Sequence, residues 1–237
     1  MRYAIYFSPS PDDALTRKAS RWLGRNAFTG AEDHNDADQR DMTAEPRRYG
    51  FHATLKAPFE LADRSSEAEL LTVFQNFART RQAFEIPDVI IDNLGPFFAI
   101  VPKAKSEALQ DFAADVVAYF EPFRAALSPS DIARRRPQEL SESQRRNLSQ
   151  WGYPHVMDDF RFHMTLTGPV ETKDRDRVRT LLMREFSDFT ERSLAISGLG
   201  LFVERARGEA FTVHTWLPLA GAPDTLRTTP VEKEAIR

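Results

Sequence analysis

The chain contains no cysteine, which excludes disulfides and thiolate metal sites and fits a reducing compartment. It also lacks any apolar stretch longer than a strand, so no segment is read as crossing a bilayer. The opening Met1-Arg2-Tyr3-Ala4-Ile5-Tyr6-Phe7 turns polar at Ser8-Pro9. That run is too short for a secretory signal and is read as a first β-strand; a cytoplasmic protein is expected. An excess of positive charge is missing too: 32 Lys and Arg stand against 35 Asp and Glu, a formal net charge of −3. There is thus no global pull toward nucleic acid, and affinity for phosphate has to come from a local cluster. The candidates are Arg47-Arg48, Arg134-Arg135-Arg136 and Arg145-Arg146, each of which reads equally well as solvated surface charge. Histidine is scarce, with five in 237 residues.

What is present suits a soluble globular protein, 41% hydrophobic and 28% charged, built as one large domain or two lobes with a shared core. Ser10, Pro11 and the acids Asp12 and Asp13 predict a helix start, and Gly24 its end. Residues 29–46 are acidic and without period, and are read as a long mobile loop holding an exposed His34. A strand is expected over Tyr49–Leu55, closed by Pro58. A helix follows with a Ser66/Glu69 capping box, then strands over 84–92 and 96–101 and a helix over about 105–120. The polar stretch 128–154, with a short helix between Ser141 and Gly152, reads as a bridge. The pattern then restarts: a strand over Asp159–Thr167 closed by Pro169, a helix from Thr172, and strands near 195–202 and 209–217. Strand, helix, strand, strand thus occurs twice, over about 49–101 and 159–217. The expected architecture is α+β: one bilobal, pseudo-symmetric unit over 1–218 with interleaved lobes. Two mostly antiparallel sheets would face a central cleft with helices outside, followed by a loosely ordered polar tail over 219–237.

Two histidines sit in the same local frame, Phe51-His52-Ala53-Thr54-Leu55 and Phe162-His163-Met164-Thr165-Leu166. A strand alternates its side chains, so Gly50, His52, Thr54 and Lys56 are expected on one face, with Phe51, Ala53 and Leu55 on the other. The second copy sets Arg161, His163, Thr165 and Thr167 opposite Phe162, Met164 and Leu166. A lone histidine on a strand is more often structural, but packing does not explain aligned twins with a hydroxyl two residues on. Two facing imidazoles suit attack on phosphorus, one taking a proton from water and the other giving one to the leaving oxygen. Thr54, Thr165, Lys56 and Arg161 would hold the non-bridging oxygens. A cyclic diester is attractive because its leaving oxygen stays tethered. Neither motif brings the carboxylate or Cys that would complete a metal site, so no metal and no cofactor are expected.

These paired motifs resemble the two-histidine (2H) phosphoesterases, a superfamily that includes RNA 2′,3′-cyclic phosphodiesterases, 2′-5′ RNA ligase-like proteins and plant cyclic phosphodiesterases. A bacterial phosphonate-metabolism subgroup is more similar still. The residues carrying that likeness are Arg2 to Phe7, Tyr49 to Phe59, Ala133 to Pro137, Trp151 to Pro154 and Phe160 to Pro169. The resemblance implies a bilobal fold with His52, Thr54, His163 and Thr165 in the active site, and a phosphoric diester hydrolase active on a small, cyclic phosphate ester. Tyr49, Arg135 and Tyr153 are further candidates for substrate contact, each with a plain structural alternative. His155 and His214 read as structural or surface residues. Two rivals remain: RNA-end processing, which the acidic balance disfavours, and a nucleotide or phosphosugar binding module without turnover.

Overall fold

The computed structural model describes residues 1–33 and 35–226. The expectations for His34 and for the end of the polar tail fall outside the described residues. Strand β1 (Arg2–Phe7) sends Tyr3, Ile5 and Phe7 to one face and Ala4 and Tyr6 to the other, and both sets are buried. Helix α1 (Ala14–Leu23) starts three residues later than a cap at Ser10 predicts. The Asp13 carboxylate caps it by accepting the Leu15 N–H at 2.7 Å, and Gly24, at φ +77°, ends it as expected.

The second part of the segment read as a mobile loop, from residue 37 on, instead forms two short helices, α2 (Ala37–Met42) and α3 (Ala44–Tyr49). Their stability comes from α1 rather than from any period of their own. A helix leaves its last carbonyls without partners. Here the Asn35 and Gln39 side-chain amides donate to Trp22 O, at 2.9 and 2.8 Å, and Arg47 Nε donates to Leu23 O at 3.0 Å. Polar residues that look solvated in sequence thus dock the segment on the end of α1.

Next come β2 (Ala53–Phe59), α4 (Glu67–Thr80) with the expected capping box, β3 (Phe84–Leu94), β4 (Phe97–Pro102) and α5 (Glu107–Tyr119). The bridge holds α6 (Pro129–Arg134) and α7 (Glu142–Trp151), the latter capped at Ser141 and stopped at Gly152. The second half holds β5 (Met164–Thr165), α8 (Arg175–Glu185), β6 (Arg192–Ile196), β7 (Gly198–Glu204) and β8 (Thr212–Pro218). One expected strand over 195–202 is therefore two. The chain leaves one sheet at Ile196 and enters the other at Gly198, where a Cβ would run into the Trp216 ring. The tail is also better fixed than its polarity predicts: Leu219 and Ala222 are buried, and the Ala220 N–H donates to Ala78 O and Arg81 O.

The strands form two antiparallel four-stranded sheets, ordered β2-β1-β7-β8 and β5-β4-β3-β6, in an α+β arrangement. Each sheet takes two strands from each half of the chain. In each, the strand of the His-x-Thr motif, β2 or β5, is an edge, and these two edges touch. One continuous apolar cluster draws on both sheets, through Ile5, Phe7 and Leu201 of the first and Ile86, Phe98 and Met164 of the second. Phe77 of α4 ties the helices in, with its ring 6.0, 4.9 and 5.3 Å from those of Phe112, Tyr119 and Phe120. Phe77→Ala should lower the unfolding free energy by about 3–5 kcal/mol, read by urea denaturation with an unchanged m-value. A much smaller loss would mean that α4 and α5 close over the cavity.

Candidate active site

The first histidine is positioned by a turn rather than by a strand, since β2 begins only at Ala53. Helix α3 stops at Gly50, whose φ of +76° disfavours any residue with a Cβ; a Cβ there would lie 2.5 Å from that of Ala27. This turn aims the Gly50 carbonyl at His52 Nδ1, 2.9 Å away. A carbonyl only accepts, so Nδ1 carries the proton and the neutral ring presents its Nε2 lone pair. The Thr54 hydroxyl donates to that nitrogen at 3.2 Å. Tyr6 stacks on the imidazole, with centroids 4.0 Å apart and planes at 25°. Burial pushes the His52 pKa down to about 4; the Gly50 carbonyl opposes the shift and His163 adds to it.

The second histidine is held in the same way with different surroundings. His163 Nδ1 donates to the Arg161 carbonyl at 2.7 Å, again two residues upstream. Burial lowers its pKa and the carbonyl opposes. Among the described residues its Nε2 and the Thr165 hydroxyl have no hydrogen-bond partner. Strand β2 touches β5, and His163 lies within electrostatic reach of His52. Phe51, Ala53, Leu55, Phe162, Met164 and Leu166 are all buried, as the alternation predicts.

The alternation fails beyond the threonines. The pairing of Tyr6 with Thr54 and of Ile5 with Lys56 leaves Leu55 as an extra residue in β2. Such a bulge turns the next side chain away. Lys56 is accordingly 3% exposed, donating to Val117 O at 3.0 Å and to Glu121 at 2.8 Å. Burial lowers its pKa, and Glu121 opposes that. It is committed to α5 and cannot serve as the expected phosphate ligand. Thr167 is also buried, bonded to the Phe98 N–H and Gly168 O. The Arg161 side chain is exposed, and it is the Arg161 carbonyl that meets His163.

Tyr49 lies 5.9 Å from the His52 ring and stacks on Phe211 at 5.3 Å. The Arg135 guanidinium sits 4.8 Å from the Tyr153 ring centroid. Burial, then Tyr49 and Tyr153, raise the pKa of Tyr6, so three phenols share one neighbourhood beside His52. His155 is exposed against Tyr153, and His214 bonds Glu67 at 3.3 Å. Arg145 and Arg146, both exposed, are spent on Leu140 O and Glu142, and Arg47 on Leu23 O.

Beyond Tyr49 opens a cavity of about 330 Å³ lined by Arg2, Arg48, Arg124, Arg134, Arg135 and Arg207. Sequence reading missed Tyr6, Arg2, Arg124 and Arg207. For Tyr6 and Arg2 a signal existed, because they share one face of β1, opposite Tyr3, Ile5 and Phe7. Arg124 and Arg207 sit in connections without a pattern. A larger cavity of about 660 Å³ lies between α1, α2 and α8, lined by mixed charges and by none of the paired-motif residues. Among the described residues no group of three or more His, Cys, Asp or Glu is placed to hold a metal ion, and no helix is long and apolar enough to cross a membrane.

Residues 54–212 match the family model described as "Protein of unknown function (DUF1045)". A ribose 1,5-bisphosphate phosphokinase PhnN of Janthinobacterium sp. (strain Marseille) is 32% identical over 232 residues, covering 93% of this chain and 51% of that protein. Its namesake from Laribacter hongkongensis (strain HLHK9) is 32% identical over 237 residues, 94% of this chain and 53% of that one. The chain thus spans about half the length of the curated relatives it matches. Among solved structures, a phosphoesterase aligns at 12% identity and TM-score 0.42, covering 92% of this chain and 98% of that one. E. coli LigT complexed with NADP+ aligns at 14% and 0.42, covering 92% and 97%.

Two outcomes are expected. An unfolded histidine takes its proton near the ordinary value of 6.5, before the folded His52 does at about 4. The stability that His52 contributes is therefore complete above pH 6.5 and is lost as pH falls toward 4. Thermal midpoints should drop across that window, and less steeply in His52→Asn; parallel curves would show that burial of this ring does not govern the slope. Gly50→Ala should lower the thermal midpoint by several degrees, the effect of about 1 kcal/mol or more. It should also release the His52 Nδ1 proton from its carbonyl, visible as a shifted imidazole NMR signal.

Proposed function

We propose that this chain, which belongs to the DUF1045 family, is a two-histidine phosphoesterase that hydrolyses a small phosphodiester, with His52 as general base and His163 as general acid. The observation that carries this reading is the repeated clamp. Each ring gives its Nδ1 proton to the carbonyl two residues upstream, and each Nε2 is left for the chemistry, with a threonine two residues on. Metal-ligand histidines are oriented in a similar way, but the motifs bring no carboxylate to complete a metal site.

The two environments support this division of roles. His52 is held neutral by burial and accepts from Thr54. As a substrate phosphate enters, the Thr54 hydroxyl turns to a non-bridging oxygen and frees Nε2 to take a proton from the attacking water. The water oxygen bonds to phosphorus, the ester P–O bond breaks, and His163, protonated beside the bound anion, gives its Nε2 proton to the departing alkoxide. Thr54 and Thr165 carry the charge that develops on the phosphoryl oxygens, while Tyr49 and Tyr153 border the substrate. The product is a phosphomonoester and a free hydroxyl, which stay in one molecule if the diester was cyclic.

The name of the curated relatives refers to a ribose bisphosphate and a kinase activity. This chain contains no Gly-x-x-x-x-Gly-Lys loop of the kind that cradles a nucleotide's phosphates. We therefore assign phosphorylation to the part of those proteins outside the match, and favour a cyclic ribose phosphate as the diester, in keeping with a phosphonate-metabolism role. Oligonucleotide substrates are less favoured given the net charge of −3.

Purified protein should hydrolyse a member of a panel of 2′,3′-cyclic nucleotides and cyclic ribose phosphates in excess EDTA. His52→Ala and His163→Ala should each lower kcat by roughly 10²-fold or more. Activity abolished by EDTA, or retained in either variant, would overturn the mechanism. Because both imidazole pKa values are lowered in the free protein, the optimum of kcat/KM should lie on the acid side of 6.5. The alkaline limb of kcat should move upward, since bound phosphate stabilises the His163 imidazolium.

A further inference from the structure

We infer that the arginine-lined cavity beyond Tyr49 is a subsite for a second, terminal phosphate on the same substrate, so that the natural diester also carries a phosphomonoester. This rests on the hydrolase reading for the scissile end, and on the following geometry for the other.

Six guanidiniums, from Arg2, Arg48, Arg124, Arg134, Arg135 and Arg207, line one cavity of about 330 Å³, in a chain with more acidic than basic residues. The acids that answer them are fewer. Glu204, fully buried, accepts from Arg2 at 2.5 Å, from Arg48 and from the Gly208 N–H at 3.0 Å. Arg207 bridges Glu60 and Asp131, the second shared with Arg134, and Arg124 pairs with Glu121. Four carboxylates thus face six cations. The imbalance is local to Arg135, whose guanidinium has no hydrogen bond or ion pair among the described residues and rests only on the Tyr153 ring. A guanidinium left with all its donors free at the wall of a cavity is built for an oxyanion, which it meets with two parallel N–H bonds.

The position connects the two ends. Tyr49 lines the cavity, lies 5.2 Å from the Arg48 guanidinium carbon and sits 5.9 Å from the His52 ring. Tyr153, beneath Arg135, lies within electrostatic reach of Tyr6. The wall between the imidazoles and the arginines is therefore aromatic and hydroxylated, which suits a sugar spanning two phosphates.

Two measurements on the full chain test this. Inorganic phosphate, titrated calorimetrically at low salt, should bind, and Arg135→Gln should weaken it roughly tenfold or more, whereas Arg146→Gln, outside the cavity lining and paired with Glu142, should leave the affinity near that of the parent. Equal affinity in Arg135→Gln, or no binding at all, would overturn the subsite. Kinetically, adenosine 2′,3′-cyclic phosphate bearing a 5′-phosphate should exceed the unphosphorylated form in kcat/KM by about tenfold or more, chiefly through KM. Arg135→Gln should erase most of that ratio and Arg146→Gln should keep it; equal rates for the two substrates, or a ratio indifferent to Arg135, would refute the inference. Absence of turnover on both substrates would instead count against the hydrolase reading, with the phosphate titration still deciding the subsite.

Discussion

A hydrophobic core shared by two sheets is the constraint on which the site depends. Each sheet has to bury its apolar face, and the shared cluster of Ile5, Phe7, Phe98 and Met164 lets one set of side chains serve both. That sharing brings edge strand β2 against edge strand β5. Exposed edges usually present unpaired backbone groups to solvent and to other chains. Here the backbone at the two edges is put to use, since the carbonyls of Gly50 and Arg161 stand just ahead of them and fix the two imidazole tautomers. Backbone geometry alone thus orients the two rings, each held through Nδ1 with its Nε2 pointing away from the clamp.

Charge is handled differently in the two parts of the site. Around His52 the surroundings are aromatic, and its burial among them favours the neutral ring. Around the arginines, charge is concentrated but mostly answered, with Glu204 kept ionised against its burial by Arg2, the Gly208 N–H and Arg48. Placing a buried carboxylate under a cationic wall costs desolvation. It also holds two long side chains in fixed directions, which flexible surface arginines would not keep.

Much of this was legible in the sequence, for physical reasons that differ by element. The twin Phe-His-x-Thr-Leu frames could be read because period-two alternation survives into the structure through Thr54 and Thr165. The caps at Ser66 and Ser141 could be read because side chain and backbone satisfy each other within four residues. The reading failed where the deciding partner is distant. Lys56 was placed in the cleft because the bulge at Leu55 is set by pairing with β1, outside the motif. The helices over 37–49 were hidden because the side chains that dock them, Gln39 and Arg47, bond carbonyls at the end of α1. Arg207 could not be found because its neighbours, Glu60 and Asp131, are far away in sequence. The arginine clusters divided on the same ground: Arg48, Arg134 and Arg135 reach the cavity, while Arg145 and Arg146 stay on a solvated helix face.

The crossing at Ser197, between β6 of one sheet and β7 of the other, has a consequence for how the chain acquires its shape. Strand β1 stands second from the edge of its sheet and is flanked on one side by β7, so that Arg2 meets Glu204 across a separation of 202 residues. During synthesis the β1–β2 pair emerges early and keeps one side open until nearly all of the residues described here have been made. Closing so long a loop is slow, and an unpaired strand is vulnerable while it waits. A nascent chain interrupted before β7 therefore holds its first histidine motif on an unfinished sheet, which is completed only once β7 has been made.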